Sequence, residues 1–321
     1  MIKRSFFMSV VVGLGTIAGA LAQTASSPPI RVLVPVAAGS AVDPYARMVS
    51  EHMAKRLGRI IIVEHRPGGN GNLAYQYTAG EPANGNLIQV ATQSSTEINP
   101  SAFSNPRWSL NDFIPLVRGV TAPLVLVANP TVPAKTLPEL VAWIKKNPGK
   151  LSYSSFTAGT PSHFLGFQLN ERFGLDLAHV PSRNSGAQAT DLIAGHVLFG
   201  FGQVQTTLPH VEAGKLNAIA ITSPVRSRHL PNVPTFAELG HPEFTAHIWF
   251  GLMLRAGTPP ETVSNLLNAA KAAHADPAVR APLEAQGYDV SGETGPTFAA
   301  DIRAQTERWA RLVKAAGFKV D

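Results

Sequence analysis

The stretch Arg31-Val32-Leu33-Val34-Pro35-Val36-Ala37-Ala38-Gly39-Ser40-Ala41-Val42-Asp43-Pro44 decides the fold class of this chain. Residues 31–36 are predicted as the first strand, because their apolar residues include three valines and such runs are typical of buried strands, and a loop of small residues follows. Asp43 and Pro44 then match the start of a helix, with Asp as the N-cap and Pro as the first helical residue. A strand, a short loop and a helix in this order indicate a parallel sheet with helical crossovers.

The same alternation of apolar runs and helical patterns continues along most of the chain, which predicts an α/β fold. Further strands are expected at 60–63, 87–92, 151–155, 177–180, 198–201 and 217–222. Helices are expected to begin near Asn72, Leu137, Thr160, Ser185, Thr206, Pro260 and Pro296. In the last helix Phe298, Ile302, Trp309 and Val313 fall on one face, which predicts packing on the body of the protein.

The length of 321 residues is more than one hydrophobic core usually serves, so we predict two lobes. The apolar run 124–128 precedes Asn129-Pro130 and Val132-Pro133, a plausible crossing from one lobe to the other. The chain returns through Thr245 to Leu254. The predicted division is residues 23–126 with 240–321 for lobe 1, and 127–239 for lobe 2.

The N-terminus has the order of a secretory signal peptide: Lys3 and Arg4, an apolar run from Phe6 to Leu21, and Ala20-Leu21-Ala22. The run is broken by small and polar residues and is shorter than the roughly 20 residues that a membrane span needs. Cleavage after Ala22 would remove residues 1–22, and no Cys follows for a lipid anchor. The expected location is the periplasm.

The composition excludes several classes of function. The absence of Cys excludes disulfides, thiolate metal sites and cysteine nucleophiles. The chain has 27 Lys and Arg against 21 Asp and Glu, a net charge of +6 that becomes +4 without Lys3 and Arg4. These basic residues are scattered rather than gathered into a basic tract with aromatic residues, so nucleic acid is not an expected partner. A mild positive excess suits an anionic ligand.

Small and hydroxylated residues follow several predicted strands, at 37–41, 93–96, 156–162 and 182–185. The carboxyl ends of parallel strands lie at one edge of a sheet, where ligands bind and where helix N-termini offer unpaired N–H groups to anions. An alternative is ordinary capping, by a Ser94–Glu97 capping box and by Thr160 before Pro161. Asp43 would repel a bound anion, so we interpret it as an N-cap turned away from the site.

Signatures of enzymes are mostly missing. Zinc-protease, nucleophile-elbow and phosphate-loop motifs are absent, and the match of Gly69, Gly71 and Ala74 to a dinucleotide fingerprint lacks its strand–turn–helix context. A hydrolase using Ser162 and His163 is an alternative, but adjacent helical residues do not face each other. We therefore predict no catalytic residues, no metal site and no cofactor.

Short stretches along the whole chain resemble the Bug-type extracytoplasmic solute receptors of tripartite tricarboxylate transporters, which have a type II periplasmic-binding-protein fold. The matching stretches are Pro29-Ile30-Arg31, Val34-Pro35, Val63-Glu64-His65-Arg66-Pro67-Gly68, Gly71-Asn72, Ile98-Asn99-Pro100, Pro148-Gly149-Lys150-Leu151, Ser162-His163, His179-Val180-Pro181, Leu208-Pro209-His210, Ala213-Gly214-Lys215-Leu216 and Trp249-Phe250-Gly251-Leu252. The resemblance implies a monomeric receptor whose two lobes close over a small carboxylate, often a dicarboxylate, and deliver it to a membrane permease. A sensor for a signalling partner is an alternative that the sequence does not separate from transport.

Departures from the family pattern bear on the ligand. Val42 stands in a usually Gly-rich loop, Arg183 replaces a Lys and can grip a carboxylate in two places, and Gly202-Gln203 replaces Asp-Asn. A cleft that has lost an Asp and gained Val42 should suit a less polar acid, such as an aromatic or medium-chain dicarboxylate. The predicted ligand-binding residues are Ala38, Gly39, Ser40, Val42, Ser94, Ser95, Thr160, Ser162, His163, Arg183, Gly202 and Gln203.

Overall fold

The computed structural model describes residues 28–320 and consists of ten strands and ten α-helices over that range. The signal-peptide prediction for residues 1–22 lies outside these residues. The elements are, in order, β1 (Ile30–Val34), α1 (Val42–Leu57), β2 (Ile61–His65), α2 (Asn72–Gly80), β3 (Leu87–Thr92), α3 (Asn99–Ala102), β4 (Phe113–Ala128), α4 (Leu137–Lys145), β5 (Leu151–Ser155), α5 (Pro161–Phe173), β6 (Leu177–Pro181), α6 (Ser185–Ala194), β7 (Phe199–Gln203), α7 (Val204–Glu212), β8 (Asn217–Ile221), β9 (His247–Arg255), α8 (Pro260–Ala275), α9 (Pro277–Ala285), β10 (Asp289–Glu293) and α10 (Gly295–Ala315).

The strands form two sets that share the 16-residue strand β4. In the first set the order is β2-β1-β3-β9-β4-β10, with β1, β2 and β3 parallel and β9 antiparallel to both of its neighbours. In the second set the order is β6-β5-β7-β4-β8, with β4 antiparallel to β7 and β8. The pairing of β4 passes from β9 to β7 between Pro123 and Leu124. The protein therefore has the predicted α/β fold with mixed sheets.

Helices cover these sheets, and the core lies between them. The predicted apolar face of α10 is confirmed, since Phe298, Ile302, Trp309 and Val313 are all buried. Gly251 in β9 lies so close to β4 that a Cβ atom there would be 2.3 Å from the Val117 carbonyl oxygen, which explains why glycine occupies this position. Within residues 28–320 no helix is both long and apolar enough to cross a membrane.

Two sequence interpretations need correction. Asp43 is not the N-cap: α1 begins one residue earlier, and the Asp43 carboxylate lies 2.9 Å from His65 Nε2 and 3.3 Å from Arg47 Nε. The Ser94–Glu97 capping box is absent; Glu97 is buried and accepts a hydrogen bond from the Trp249 indole instead.

Sequence periodicity also missed α9, β10 and the first half of β4, because each is short or lies in a stretch interrupted by Pro and Gly. The proposed boundaries of the two lobes, at 126/127 and 239/240, remain a prediction. The change of partner along β4 lies three residues before the first of them.

Candidate ligand-binding site

A cleft lies where the carboxyl ends of strands from both sets face each other. Its empty space, including the opening to solvent, is about 530 Å³. The lining contains one basic side chain, Arg183, and no Asp or Glu, so its electrostatics favour an anion. The lining residues are Val36, Ser40, Ala41, Val42, Asn70, Thr92, Gln93, Ser94, Phe156, Thr157, Thr160, Arg183, Asn184, Ser185, Gln203, Ile248, Trp249 and Phe250.

The first wall of the cleft comes from the loops after β1, β2 and β3. Asn70 adopts a left-handed backbone conformation, with φ of 49°, between two glycines that also have positive φ. At one of them, Gly71, a Cβ atom would lie 2.2 Å from Ser95 Oγ, so only glycine lets this loop approach the next one. Ser95 Oγ donates to the Asn70 carbonyl at 2.9 Å and holds the two loops together.

The second wall is the loop 156–160 between β5 and α5. The Thr157 carbonyl accepts hydrogen bonds from Ser155 Oγ at 3.0 Å and from Thr160 Oγ1 at 2.7 Å. Thr160 is the N-cap residue, as predicted, but its hydroxyl bonds back to Thr157 rather than to the helix. Two helix starts therefore border the cleft beside Arg183, because α6 begins at Ser185.

Two stacked histidines support this loop from behind. The rings of His163 and His179 lie 3.9 Å apart at 11°, and the Gly159 N–H donates to His163 Nδ1 at 3.2 Å. Burial, with a smaller contribution from His179, lowers the pKa of His163 to about 3, and burial lowers that of His179 to about 4. Both rings are therefore neutral near pH 7, which keeps His163 Nδ1 available as an acceptor.

Aromatic residues and unpaired polar atoms meet inside the cleft. Trp249 and Phe250 of β9 are buried and supply apolar surface. Ser40 Oγ, Gln93 Oε1 and Gln203 Oε1 are buried and have no hydrogen-bond partner within residues 28–320. Because a buried polar group without a partner costs free energy, a ligand or water in the cleft would stabilise them.

Contacts across the cleft join the two sets. Asn70 Nδ2 donates to the Gly159 carbonyl at 2.8 Å, and the Ala41 N–H donates to Ser185 Oγ at 3.4 Å. Phe318, which follows α10, packs edge-on against His163 with ring centroids 5.1 Å apart. The walls thus touch on both sides of the space that a ligand would fill.

Half of the predicted ligand-binding residues line the cleft, namely Ser40, Val42, Ser94, Thr160, Arg183 and Gln203. The other six predicted residues lie outside the lining, namely Ala38, Gly39, Ser95, Ser162, His163 and Gly202. Of these, Ala38 and Gly39 are exposed at the surface. Gly202 packs against Thr207, whose methyl group would lie 2.5 Å from a Cβ atom.

The geometry does not pair Ser162 with His163 for nucleophilic catalysis. Ser162 Oγ donates to the Phe201 carbonyl at 2.5 Å, while His163 faces Gly159 and His179. Over the described part of the chain, no three His, Asp or Glu side chains come together as metal ligands. Ser162 and His163 therefore do not form a hydrogen-bonded nucleophile–base pair.

Sequence reasoning missed Asn70, Thr157 and Trp249, although all three line the cleft. A signal existed for Asn70, because an Asn between glycines readily takes positive φ at a close approach. Trp249 lies in one of the stretches that carry the family resemblance. Thr157 lies in the hydroxylated junction 156–162 that the sequence indicated, but the residues predicted in or next to it were Thr160, Ser162 and His163.

Two strand sets with a cleft at their carboxyl ends give this chain the fold class of the periplasmic binding proteins, and comparisons identify its family. The model of the tripartite tricarboxylate transporter family receptor, TctC, matches residues 45–318. The chain belongs to this family, which confirms the Bug-type resemblance.

Individual relatives agree with this assignment over nearly the whole chain. Protein BugT of Bordetella pertussis is 32% identical over 316 residues, covering 95% of this chain and 94% of BugT. The structure of periplasmic binding protein BugD superposes with a TM-score of 0.84 at 30% identity, covering 91% of this chain and 98% of BugD. MatC from Rhodopseudomonas palustris with bound malate superposes with a TM-score of 0.82 at 27% identity, covering 89% and 98%.

Proposed function

We propose that this protein is a periplasmic receptor that binds a small carboxylate between its two lobes and delivers it to the permease of a tripartite transporter. The observation that carries the proposal is the cleft, whose lining among residues 28–320 has one arginine, no acid and three buried polar atoms without hydrogen-bond partners. A glutamine amide can turn to present its N–H₂ group, and a serine hydroxyl donates freely, so these atoms can bind a carboxylate. The malate bound by MatC is a carboxylate of this kind.

The ligand class follows from the shape and polarity of the lining. Phe156, Ile248 and Trp249 present apolar surface beside Val42, while Arg183 is exposed at the edge and makes no ion pair within residues 28–320. An aromatic or medium-chain dicarboxylate can place its apolar middle against these side chains and one carboxylate on the guanidinium. We therefore propose this class rather than an amino acid.

A thermal-shift screen of the mature protein tests the ligand. The panel contains adipate, an aromatic diacid, malate, aspartate and glutamate. A ligand at about 100 times its Kd raises the free energy of unfolding by about 2.7 kcal/mol, which gives a shift of several degrees. Calorimetry then gives affinities. Tight binding of aspartate or glutamate without adipate or the aromatic diacid would refute the ligand class, and a silent panel would refute carboxylate binding.

Matched arginine variants locate the site. Arg183→Ala should weaken binding about tenfold or more, since a charge-assisted hydrogen bond is lost. Arg56→Ala removes an exposed arginine at the last turn of α1, far from the lining, and should leave the affinity unchanged. Equal affinities of the two variants would exclude the Arg183 contact.

The delivery step needs a cellular test. Deleting the gene should abolish uptake of the identified acid, and a copy carrying the signal peptide should restore it. Fractionation of the complemented cells should place the mature protein in the periplasm. A changed transcriptional response with normal uptake would favour a sensor over a transport receptor.

A further inference from the structure

Glu97 is a buried acidic residue that lies behind the cleft rather than in its lining. It belongs to the turn 94–98, which also carries Ser94 of the lining, and its side chain has no exposed surface. Its Oε1 accepts a hydrogen bond from Trp249 Nε1 at 2.7 Å, and its Oε2 has no partner within the described residues. Glu97 makes no ion pair there either.

An isolated carboxylate in such a place is strongly disfavoured, so the proton stays on the group. Because Oε1 accepts from the indole, the hydroxyl of the neutral acid is assigned to Oε2. Burial raises the pKa of Glu97 to about 8, against the hydrogen bond from Trp249 and the side chain of Gln93, which lower it. The neutral acid therefore predominates at pH 7.

The charged groups around Glu97 do not neutralise it by contact. Arg118 of β4 is engaged by Glu293 and Asp301. Glu97 interacts electrostatically, without direct contact, with Arg118 and with Asp301 and Arg308 of α10. Tyr75 of α2 is hydrogen-bonded to Thr96 at 2.6 Å.

The Gln93 amide connects Glu97 to the ligand space. Gln93 lines the cleft and precedes Glu97 by four residues at the start of the turn 94–98, and its side chain lowers the pKa of Glu97. Gln93 Oε1 and Glu97 Oε2 are both buried and have no hydrogen-bond partner within residues 28–320. An amide has a donor end and an acceptor end, and only the donor end attracts a carboxylate ligand. A neutral Glu97 can donate a hydrogen bond from Oε2 to Gln93 Oε1, which leaves Gln93 Nε2 free to donate to the ligand. An ionised Glu97 can only accept hydrogen bonds, so it attracts Gln93 Nε2 away from the ligand.

We infer that Glu97 is a proton-dependent positioning residue, which sets the end of the Gln93 amide that faces a bound carboxylate. This inference rests on the proposed function. Binding is favoured with Glu97 protonated, so ligand uptake above about pH 8 is accompanied by uptake of one proton. The cleft thereby discriminates against anions once Glu97 is ionised.

Calorimetric titration across pH 6 to 9.5 with the acid identified by the screen tests the inference. Wild-type affinity should fall about tenfold between pH 7 and 9.5, from loss of the amide donor and repulsion by the new charge. Glu97→Gln keeps a donor toward Gln93 and an acceptor for the indole at every pH, so its affinity should match wild type at pH 7 and stay flat. Parallel profiles of wild type and Glu97→Gln would overturn the inference.

A second variant and a measurement without ligand distinguish a failure of this inference from a failure of the proposed function. Gln93→Leu should bind more weakly at pH 7 and lose most of the pH dependence, and an unchanged dependence would overturn the role of the amide. The fluorescence of Trp249 should titrate near pH 8 in the ligand-free wild type and not in Glu97→Gln. Absence of that titration refutes the protonation of Glu97 whether or not any carboxylate binds, whereas its presence with a silent ligand panel refutes only the proposed function.

Discussion

His274 of α8 offers a direct test of how burial couples protonation to stability. Its ring is 2% exposed; Nδ1 donates to the Ala270 carbonyl at 2.7 Å, which leaves Nε2 to accept from the Tyr45 hydroxyl at 3.2 Å. Gly119 closes the remaining space, since a Cβ there would lie 2.2 Å from Nε2. Burial lowers the pKa of His274 to about 4, below the ordinary 6.5.

The magnitude follows from linkage between protonation and unfolding. Between these two pKa values the unfolded chain binds more protons than the folded one, so the contribution is fully present above pH 6.5 and is lost as the pH falls toward 4. From pH 8 to pH 5 the loss is about 2 kcal/mol. The contribution of buried His163 to stability also falls as the pH falls, because its pKa is lowered too. Glu97 has the opposite sign, because its raised pKa makes the folded state bind the extra proton between pH 4.5 and 8.

The pH dependence of the free energy of unfolding is therefore a sum of opposed contributions, and a variant is needed to isolate that of His274. Urea unfolding of wild type and His274→Gln at pH 8 and pH 5 should show the difference in free energy between them shrinking by about 2 kcal/mol at pH 5. His210→Gln, in the last turn of α7, controls for the loss of one imidazole elsewhere. Parallel pH dependences of wild type and His274→Gln would refute the reasoning.

Further variants test the packing of β9, the capping of α4 and the contact of Asn70 across the cleft. Gly251→Ala should destabilise by at least about 1–3 kcal/mol in thermal unfolding because its Cβ meets a β4 carbonyl, whereas Gly80→Ala at the open end of α2 should be neutral or slightly stabilising. Thr136→Ala should cost about 1 kcal/mol in urea unfolding, since it removes the capping box of α4. Asn70→Gly keeps the positive φ but loses the 2.8 Å hydrogen bond to the Gly159 carbonyl. Its ligand affinity should therefore fall, while its free energy of unfolding should stay within about 1 kcal/mol of wild type. A larger loss of stability in Asn70→Ala would confirm that the backbone at this position requires a positive φ.

Sequence patterns predicted the regular elements well where the periodicity was strong. The buried face of α10 and the order of strand, loop and helix that begins at β1 follow directly from apolar spacing, although the helix-start residues Asp43 and Pro44 do not cap α1. The start of β4 was missed because Pro115 and Gly119 interrupt it, and only pairing with β9 and β10 makes it a strand. Local sequence patterns carry no information about pairing between strands that are so far apart in the chain.

The candidate site was less predictable, for reasons that particular residues illustrate. Position along the chain identified the loops that border the cleft, but which side chain of a loop points inward depends on contacts with distant segments. Ser95 and His163 turn away to hold the loops at Asn70 and Gly159, whereas Ser94 and Thr160 line the cleft. Glu97 matched a capping box by spacing, yet its carboxyl bonds to Trp249, which lies 152 residues further along the chain.

The position of β9 between β3 and β4 constrains how the newly made chain can fold. The ribosome releases β3 and β4 long before β9, which spans His247–Arg255, yet β3 has its antiparallel partner in β9 and β4 pairs with β9 over residues 113–123. About four-fifths of the chain must emerge before the first strand set can close, and such distant pairing forms slowly. Until then apolar strand edges stay open to wrong partners, so a holding chaperone should raise the yield of folded receptor, and a chain truncated before residue 247 should aggregate rather than form an independent N-terminal lobe.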